Sequence, residues 1–281
     1  MHVADISDTA RWVALFRADE SDRPDALFSD PAARRLAGES NADIDRLQRK
    51  GRGMAWAMVV RTAVFDELIL RAIRERGIDT VLMLGAGLDT RPYRLALPAE
   101  LAWHEVDLPG ILARKQRLLG RQAPSCRVTR EAVDLADVGA RIALLDRVAA
   151  SARKALVVTE GLLVYLPPPR VDALARELAA RSPFGCWITD MVSPALLKMM
   201  LKSVGTDIDA DPEPRYFGPA TGTAFFRPAG WREVEFRSSL ADAVRLGRAP
   251  RSIAFAERAS RWLPGAGALA RIGGNAVLER V

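Results

Sequence analysis

A chain of 281 residues can bury a sizeable core, and with 49% hydrophobic and 27% charged residues it has the composition of a soluble globular protein. No stretch approaches the ~20 consecutive apolar residues of a membrane span, and Asp5 and Asp8 stand where a signal peptide would carry basic charge. The formal charge of +6 is mostly arginine; the one basic cluster, Arg46, Arg49, Lys50 and Arg52, follows Asp43 and Asp45 and lacks the interleaved aromatics that stack bases, which argues against nucleic acid as a partner.

Residues 5–37 read as amphipathic helix, broken near Asp22-Arg23-Pro24 and again at Asp30-Pro31, where Asp30 is placed to cap the next helix. A longer helix runs from Met54 to Arg76, with Arg61, Phe65, Leu68 and Ala72 at i, i+4, i+7 and i+11 on one face and Gly77 as its stop. From Ile78 the texture changes. Candidate strands at Thr80–Leu84, Ala102–Val106, Arg127–Val133, Ala155–Thr159 and Gly185–Asp190 alternate with helical stretches at Leu108–Leu119, Asp137–Ala150, Arg170–Arg181 and Pro194–Lys202. Continuous apolar strands separated by helices predict a parallel sheet covered on both faces. Near the end, Ala224–Phe226 and Glu233–Arg237 flank Pro228-Ala229-Gly230, which fits an antiparallel strand pair or a strand after a short helix. The expectation is one α/β domain over residues 1–281. It comprises a helical cap over 1–77 and, over 78–281, a Rossmann-like sheet, mostly parallel with an antiparallel end. Cys126 and Cys186 lie far apart without metal-ligand spacing, so neither a disulfide framework nor a metal is expected, and the natural compartment is the cytoplasm.

The residues that carry chemistry cluster at the predicted strand ends. Gly85-Ala86-Gly87 closes the first strand, where a glycine turn lets the backbone approach a ligand closely. The dinucleotide fingerprint G-x-G-x-x-G fails here, because Thr90 occupies the third glycine position and Arg91-Pro92 follows. Asp89 would repel a pyrophosphate at that helix start and suits a ligand bearing an ammonium and a sulfonium. Asp107, 20 residues beyond Gly87, is placed to accept both ribose hydroxyls; Glu105 is second choice and His104 reads as a packed strand residue. Asp134 either accepts from an adenine amino group, with Leu135 against the ring, or caps the next helix, which Asp137 could do instead. Glu160 ends the fourth strand, beside the first at the switch point, facing the methionine portion of such a ligand. Arg61, on the apolar face of its helix, needs a partner, either a ligand carboxylate or a core acid.

These residues resemble the leucine carboxyl methyltransferase-like family of class I methyltransferases, especially its bacterial branch of small-molecule O-methyltransferases of the polyketide-tailoring type. The resemblance is carried by Asp30-Pro31-Ala32, Arg61-Thr62 with Phe65-Asp66, the run from Gly85 through Leu88-Asp89-Thr90-Arg91, Glu105-Val106-Asp107-Leu108-Pro109 with Lys115, Asp134-Leu135, and Glu160-Gly161-Leu162-Leu163 with Tyr165-Leu166. It implies S-adenosylmethionine as cofactor and S-adenosylhomocysteine as product. It further implies that Arg61 holds the cofactor carboxylate, Gly85, Ala86 and Gly87 pass under its methionine moiety, Asp107 binds ribose, Asp134 and Leu135 hold adenine, and Glu160 lies near the amino-acid end.

The expected reaction is methyl transfer to a hydroxyl or carboxyl oxygen of a small molecule, by a monomer or homodimer without nucleic-acid or membrane partners. Protein carboxyl methylation and cofactor binding without turnover are the alternatives. Tyr165 is the candidate substrate-contacting hydroxyl, or else a packed core tyrosine, and Asp190 and Tyr216 are lower-ranked pocket-wall candidates. His2 and His104 are the only histidines and neither is placed as a base. The N-terminal helices and the segment Gly205–Thr221 are expected to cover the acceptor site as a lid.

Overall fold

The computed structural model describes residues 6–38, 52–204, 216–260 and 269–281. The basic cluster at 46–50, His2, and residues 205–215 of the expected lid lie outside the described residues.

Helix α1 (Ile6–Ser21) and the short α2 (Ala33–Ala37) precede α3 (Ala55–Arg76). Then β1 (Thr80–Leu84), α4 (Arg91–Arg94), β2 (Ala102–Asp107), α5 (Pro109–Leu119), β3 (Arg127–Ala132), α6 (Val138–Ser151), β4 (Ala155–Thr159), α7 (Pro168–Ala179), β5 (Phe184–Val192) and α8 (Pro194–Val204) alternate. A 3-10 helix over Gly222–Ala229 leads into β6 (Trp231–Ser238), α9 (Ser239–Arg245), α10 (Arg251–Ser260) and β7 (Gly273–Arg280). The seven strands form one sheet in the order β3-β2-β1-β4-β5-β7-β6. The first five are parallel, and β7 runs antiparallel between β5 and β6. No described helix is long and apolar enough to cross a membrane.

Side-chain alternation sorts the core into two layers. On β1, Leu82 and Leu84 face α6 and α7, where Leu144, Val148, Leu174 and Leu178 are buried. Val81 and Met83 face the other way, onto Val64, Phe65, Leu68 and Ile69 of α3. With both faces covered, β1 and β4 are buried along their whole length. This is why they read as unbroken apolar runs rather than as alternation. Gly77 ends α3 in the left-handed conformation (φ 65°, ψ 40°), which an L side chain would resist. A third cluster joins Leu15, Leu36 and Ala37 of the N-terminal helices to Leu88 and Leu119, seating them over the turn after β1.

Two expectations are corrected at the level of elements. Asp30 does not cap a helix: α2 begins after Ala32, and the Asp30 carboxylate is buried against Arg17 Nε (2.8 Å) and Thr90 Oγ1 (2.5 Å). Ala224–Phe226 is not a strand but part of the 3-10 helix, so the strand-after-short-helix alternative holds. Strand β7 has no counterpart in the sequence reading, because it opens on Gly273-Gly274-Asn275, residues depleted from strands. Its glycines are there for room. A Cβ on Gly274 would lie 2.3 Å from the Arg237 carbonyl oxygen and 2.7 Å from the Phe236 ring. Gly274→Ala is therefore expected to cost about 3 kcal/mol or more, lowering the thermal midpoint by about 6–12 °C. Gly185→Ala in β5, where a Cβ meets nothing within 4 Å, is the neutral control in the same melting experiment.

Candidate active site

The parallel strands deliver their C-terminal ends to one edge. Register pairs Leu84 with Val106 and Thr159, Asp107 with Ala132, and Thr159 with Thr189. Gly85, Asp107, Asp134, Glu160 and Asp190 therefore emerge side by side, at the edge where open α/β sheets bind ligands.

The turn after β1 is built by two glycines with positive φ, Gly85 (67°) and Gly87 (49°). At Gly85 a Cβ would stand 3.0 Å from the Leu162 side chain. The turn is pinned to its neighbour strand by Asp107, whose Oδ2 accepts from the Gly87 N–H (2.6 Å) and whose Oδ1 accepts from the Leu108 N–H (2.7 Å). Each oxygen keeps a free lone pair for a ligand hydroxyl. Burial pushes the Asp107 carboxyl above its ordinary value, more than the two N–H groups and Lys115 lower it. Glu105 is taken out of contention: it is fully buried, with its oxygens on Lys115 Nζ (2.8 Å) and Arg130 Nε (3.0 Å).

Beside this turn lies a buried charge cluster. Arg61 Nε donates to Glu160 Oε1 at 3.1 Å and Arg61 Nη1 to Asp190 Oδ2 at 3.0 Å. The other Asp190 oxygen accepts from the Gly161 N–H (2.9 Å). Gly161 adopts φ 64°, and a Cβ there would press to 3.1 Å from Arg61 Nη1, so the glycine makes the space in which the guanidinium lies. Glu160 turns its second oxygen to Arg91 Nη2 (2.8 Å). Arg91 also holds Asp66 (2.6 Å) and Asp89, and Asp66 in turn binds Arg94 (2.6 Å). Burial raises the Glu160 carboxyl, but Arg91 and Arg61 outweigh it and the net shift is downward. At Asp190 burial wins over Arg61 and the Gly161 N–H, and the carboxyl is raised.

The cluster corrects the reading of Asp89. That acid does not face a ligand; it is buried and spent on Arg91. Arg91 itself, 1% exposed and meeting three carboxylates, was not recognised as a hub from sequence. The available signal was Asp66, an acid set between the buried Phe65 and Ile69 in the apolar body of α3. Arg61 has the core acids its position demanded, and the pairing leaves it 15% accessible at the edge.

Asp134 does not cap α6; Asp137 does, accepting from the Ala140 N–H at 3.0 Å. Asp134 instead holds the Ala136 N–H (2.8 Å), shaping the turn at the end of β3. Leu135 packs against the core layer of α6 and α7. Tyr165 ends the 3-10 turn Leu163–Tyr165 and is 43% exposed, so it is not a packed core tyrosine. Burial raises its hydroxyl pKa, Arg61 opposes this, and Asp190, Thr9 and Tyr216 also act on it. Arg61, Asp190 and Tyr216 are thus all close enough to Tyr165 to act on its hydroxyl. His104 sits on β2 beside Glu131 (3.5 Å) with its pKa lowered by burial, and is remote from this group.

The donor set fits S-adenosylmethionine. A guanidinium between two strand-end acids offers one site for a carboxylate and adjoining sites for an ammonium. Asp107 offers two acceptor lone pairs, and Gly85 and Gly161 keep the floor free of side chains. The strand order and the reversed β7 are those of the class I methyltransferase fold. A family model for leucine carboxyl methyltransferase matches residues 10–179. A provisionally named S-adenosyl-L-methionine-dependent methyltransferase of Streptomyces coelicolor is 35% identical over 191 residues, 63% of this chain and 65% of that protein. Another, from Mycolicibacterium gilvum, is 32% identical over 258 residues, 81% of this chain and 82% of its own. The chain thus spans just under two thirds of the length of the Streptomyces relative. Among solved structures, a DUF574-family protein from Streptomyces avermitilis shares the fold with a TM-score of 0.61 at 14% identity, covering 97% of each chain. A provisionally named methyltransferase from Thermobifida fusca does so with a TM-score of 0.58 at 18% identity, covering 96% of this chain and 94% of that one. The chain belongs to the leucine carboxyl methyltransferase family.

Proposed function

We propose that the protein transfers a methyl group from S-adenosylmethionine to a hydroxyl or carboxyl oxygen of a small molecule, in secondary metabolism and in the cytoplasm. The observation that carries this reading is Arg61, aimed at the strand edge between Glu160 and Asp190 with Asp107 capping the glycine turn beside it.

When bound, the cofactor supplies an electrophilic methyl group on a sulfonium. The protein's own residues have five tasks. Arg61 holds the carboxylate end, and Glu160, kept ionised by Arg91 and Arg61, attracts the neighbouring ammonium. Asp107 takes the ribose hydroxyls, and Asp134 with Leu135 takes adenine. Tyr165, half-exposed at the same edge, contacts the acceptor. Holding the two reactants in line supplies roughly 7–11 kcal/mol of the barrier reduction such transfers need. The family description names a carboxyl acceptor, which favours protein carboxyl methylation as the second reading.

Titration calorimetry tests the assignment. S-adenosylmethionine and S-adenosylhomocysteine should both bind the wild-type protein and NAD should not, while Asp107→Ala should weaken both by about 10–100-fold, the loss of a charge-assisted pair. Tighter binding of NAD, or no binding of the methyl donor, refutes it. Incubation with radiolabelled donor and a cell extract separates the two acceptors: label in the small-molecule fraction supports the first, and base-labile label on protein supports the second.

A further inference from the structure

The ion-pair cluster has unequal charges. Arg61, Arg91 and Arg94 meet four carboxylates, Asp66, Asp89, Glu160 and Asp190, leaving a net charge of minus one among joined, mostly buried groups. A buried excess charge is costly without a counter-ion. Asp66 is shared by two guanidinia, Asp89 lies on Arg91, and Glu160 is shared by Arg91 and Arg61. Asp89 and Asp190 each have one guanidinium partner, but Asp89 also lies in the field of Lys115, Arg94 and Arg17, whereas Arg61 is the one cation acting on Asp190, so the excess falls on Asp190.

Arg61 is also the group that must turn to the carboxylate of an incoming donor. Asp190 then keeps two backbone N–H groups, that of Gly161 (2.9 Å) and its own, with no cation, and faces the edge with 16% of its side chain accessible. Its antiparallel partner on β7 is Asn275, a residue 1% exposed whose Nδ2 has no hydrogen-bond partner. Directly paired side chains share a face, so Asn275 offers a neutral donor toward Asp190 without adding charge. No other described group is suited to take a proton there. Tyr165 holds its own proton more firmly than a free tyrosine, because burial raises it, and His104 is on β2 beside Glu131.

Resting on the methyl-transfer reading above, we infer that Asp190 receives the acceptor's proton, and hence that the acceptor is a neutral hydroxyl, phenolic or enolic, rather than a carboxylate. As the acceptor oxygen bonds to the methyl carbon, the carbon–sulfur bond breaks and its electron pair stays on sulfur. The O–H proton passes to Asp190. The sulfonium loses its positive charge and Asp190 its negative one together, so the site stays neutral before and after transfer. An ionised carboxylate would enter this acid-rich edge against repulsion and would leave Asp190 charged beside a neutral product.

The test needs no acceptor. The groups facing Asp190 are Arg61 from α3, Glu160 and the Gly161 N–H after β4, Tyr165 from its 3-10 turn and the neutral Asn275 from β7. Calorimetric titrations near neutral pH, in buffers of different ionisation enthalpy, count the protons taken up on binding. S-adenosylhomocysteine should bring in up to about one proton more than S-adenosylmethionine, and its affinity should fall by up to about tenfold per pH unit above that range. In Asp190→Asn the difference between the two ligands should vanish. Equal uptake for both ligands in the wild type overturns the inference without any variant. So does a difference that persists in a folded Asp190→Asn protein. Failure of either ligand to bind the wild type refutes the methyl-donor reading, and the inference with it.

Discussion

Arg91→Leu should remove about 3–5 kcal/mol of stability at pH 7, the cost of leaving buried charges without their partner. Arg91 touches Asp66, Asp89 and Glu160 and is 1% exposed, so no water can replace the guanidinium. A domain stable by about 5–15 kcal/mol would lose a large part of its margin. The pH dependence gives the mechanism away. Burial raises Asp89 and Glu160, but the arginines outweigh it and hold both below their ordinary values of 3.8 and 4.5. Their contribution in the wild type is present above those values and is lost as pH falls through the lower folded ones. In the variant Asp89 is left without a guanidinium partner while Glu160 keeps Arg61, so Asp89 binds a proton more readily than in the unfolded chain and that protein gains stability as pH falls from neutral. The gap in urea unfolding free energy between the two proteins should close on acidification. A gap that is constant with pH would show that Arg91 acts by packing alone. Arg91→Lys should recover only part of the loss, since one ammonium cannot span three carboxylates.

Arg61→Leu should act the other way round, sparing the fold more and the ligand less. Glu160 retains Arg91, and Asp190 retains the Gly161 N–H and some solvent. The donor's carboxylate, however, loses its fork and meets two acids instead. Truncating one partner of such a charge pair costs about 2–5 kcal/mol, or roughly 30- to several-thousand-fold in affinity. Calorimetry with S-adenosylmethionine, beside a thermal melt, reads both quantities. Undiminished donor binding would reduce Arg61 to a structural ion pair.

The contrast between these two arginines marks what was legible in the sequence. Arg61 stood out because its place on an apolar helix face required a partner, and helical periodicity is local. The hub role of Arg91 rests on residues 25 and 69 positions away, and no periodicity reports such a pairing. Strands β1 and β4 were legible because burial on both faces makes them unbroken apolar runs. Strand β7 was hidden because close approach of Phe236 and Arg237 demands glycine where a strand would otherwise show β-branched residues. Asp107's place at the glycine turn was legible because it follows from the distance between the first two strand ends, and there it accepts from the Gly87 N–H. Asp89 was misread for the complementary reason: its position at that turn was local information, while its partner, bound two residues on, turned it inward.

Strand β7 also sets an order on how the molecule is made. It follows every other strand in the chain yet lies inside the sheet, between β5 and β6, and pairs Asn275 with Asp190. During synthesis, β1 to β4 with Arg61, Asp107 and Glu160 can assemble while the ribosome is still translating the remainder. Asp190 gains its strand partner only once residues 273–280 have emerged. A nascent chain can therefore bring Arg61, Asp107 and Glu160 to the sheet edge before Asp190 has its strand partner, and the last wall of the candidate site is the last to be built.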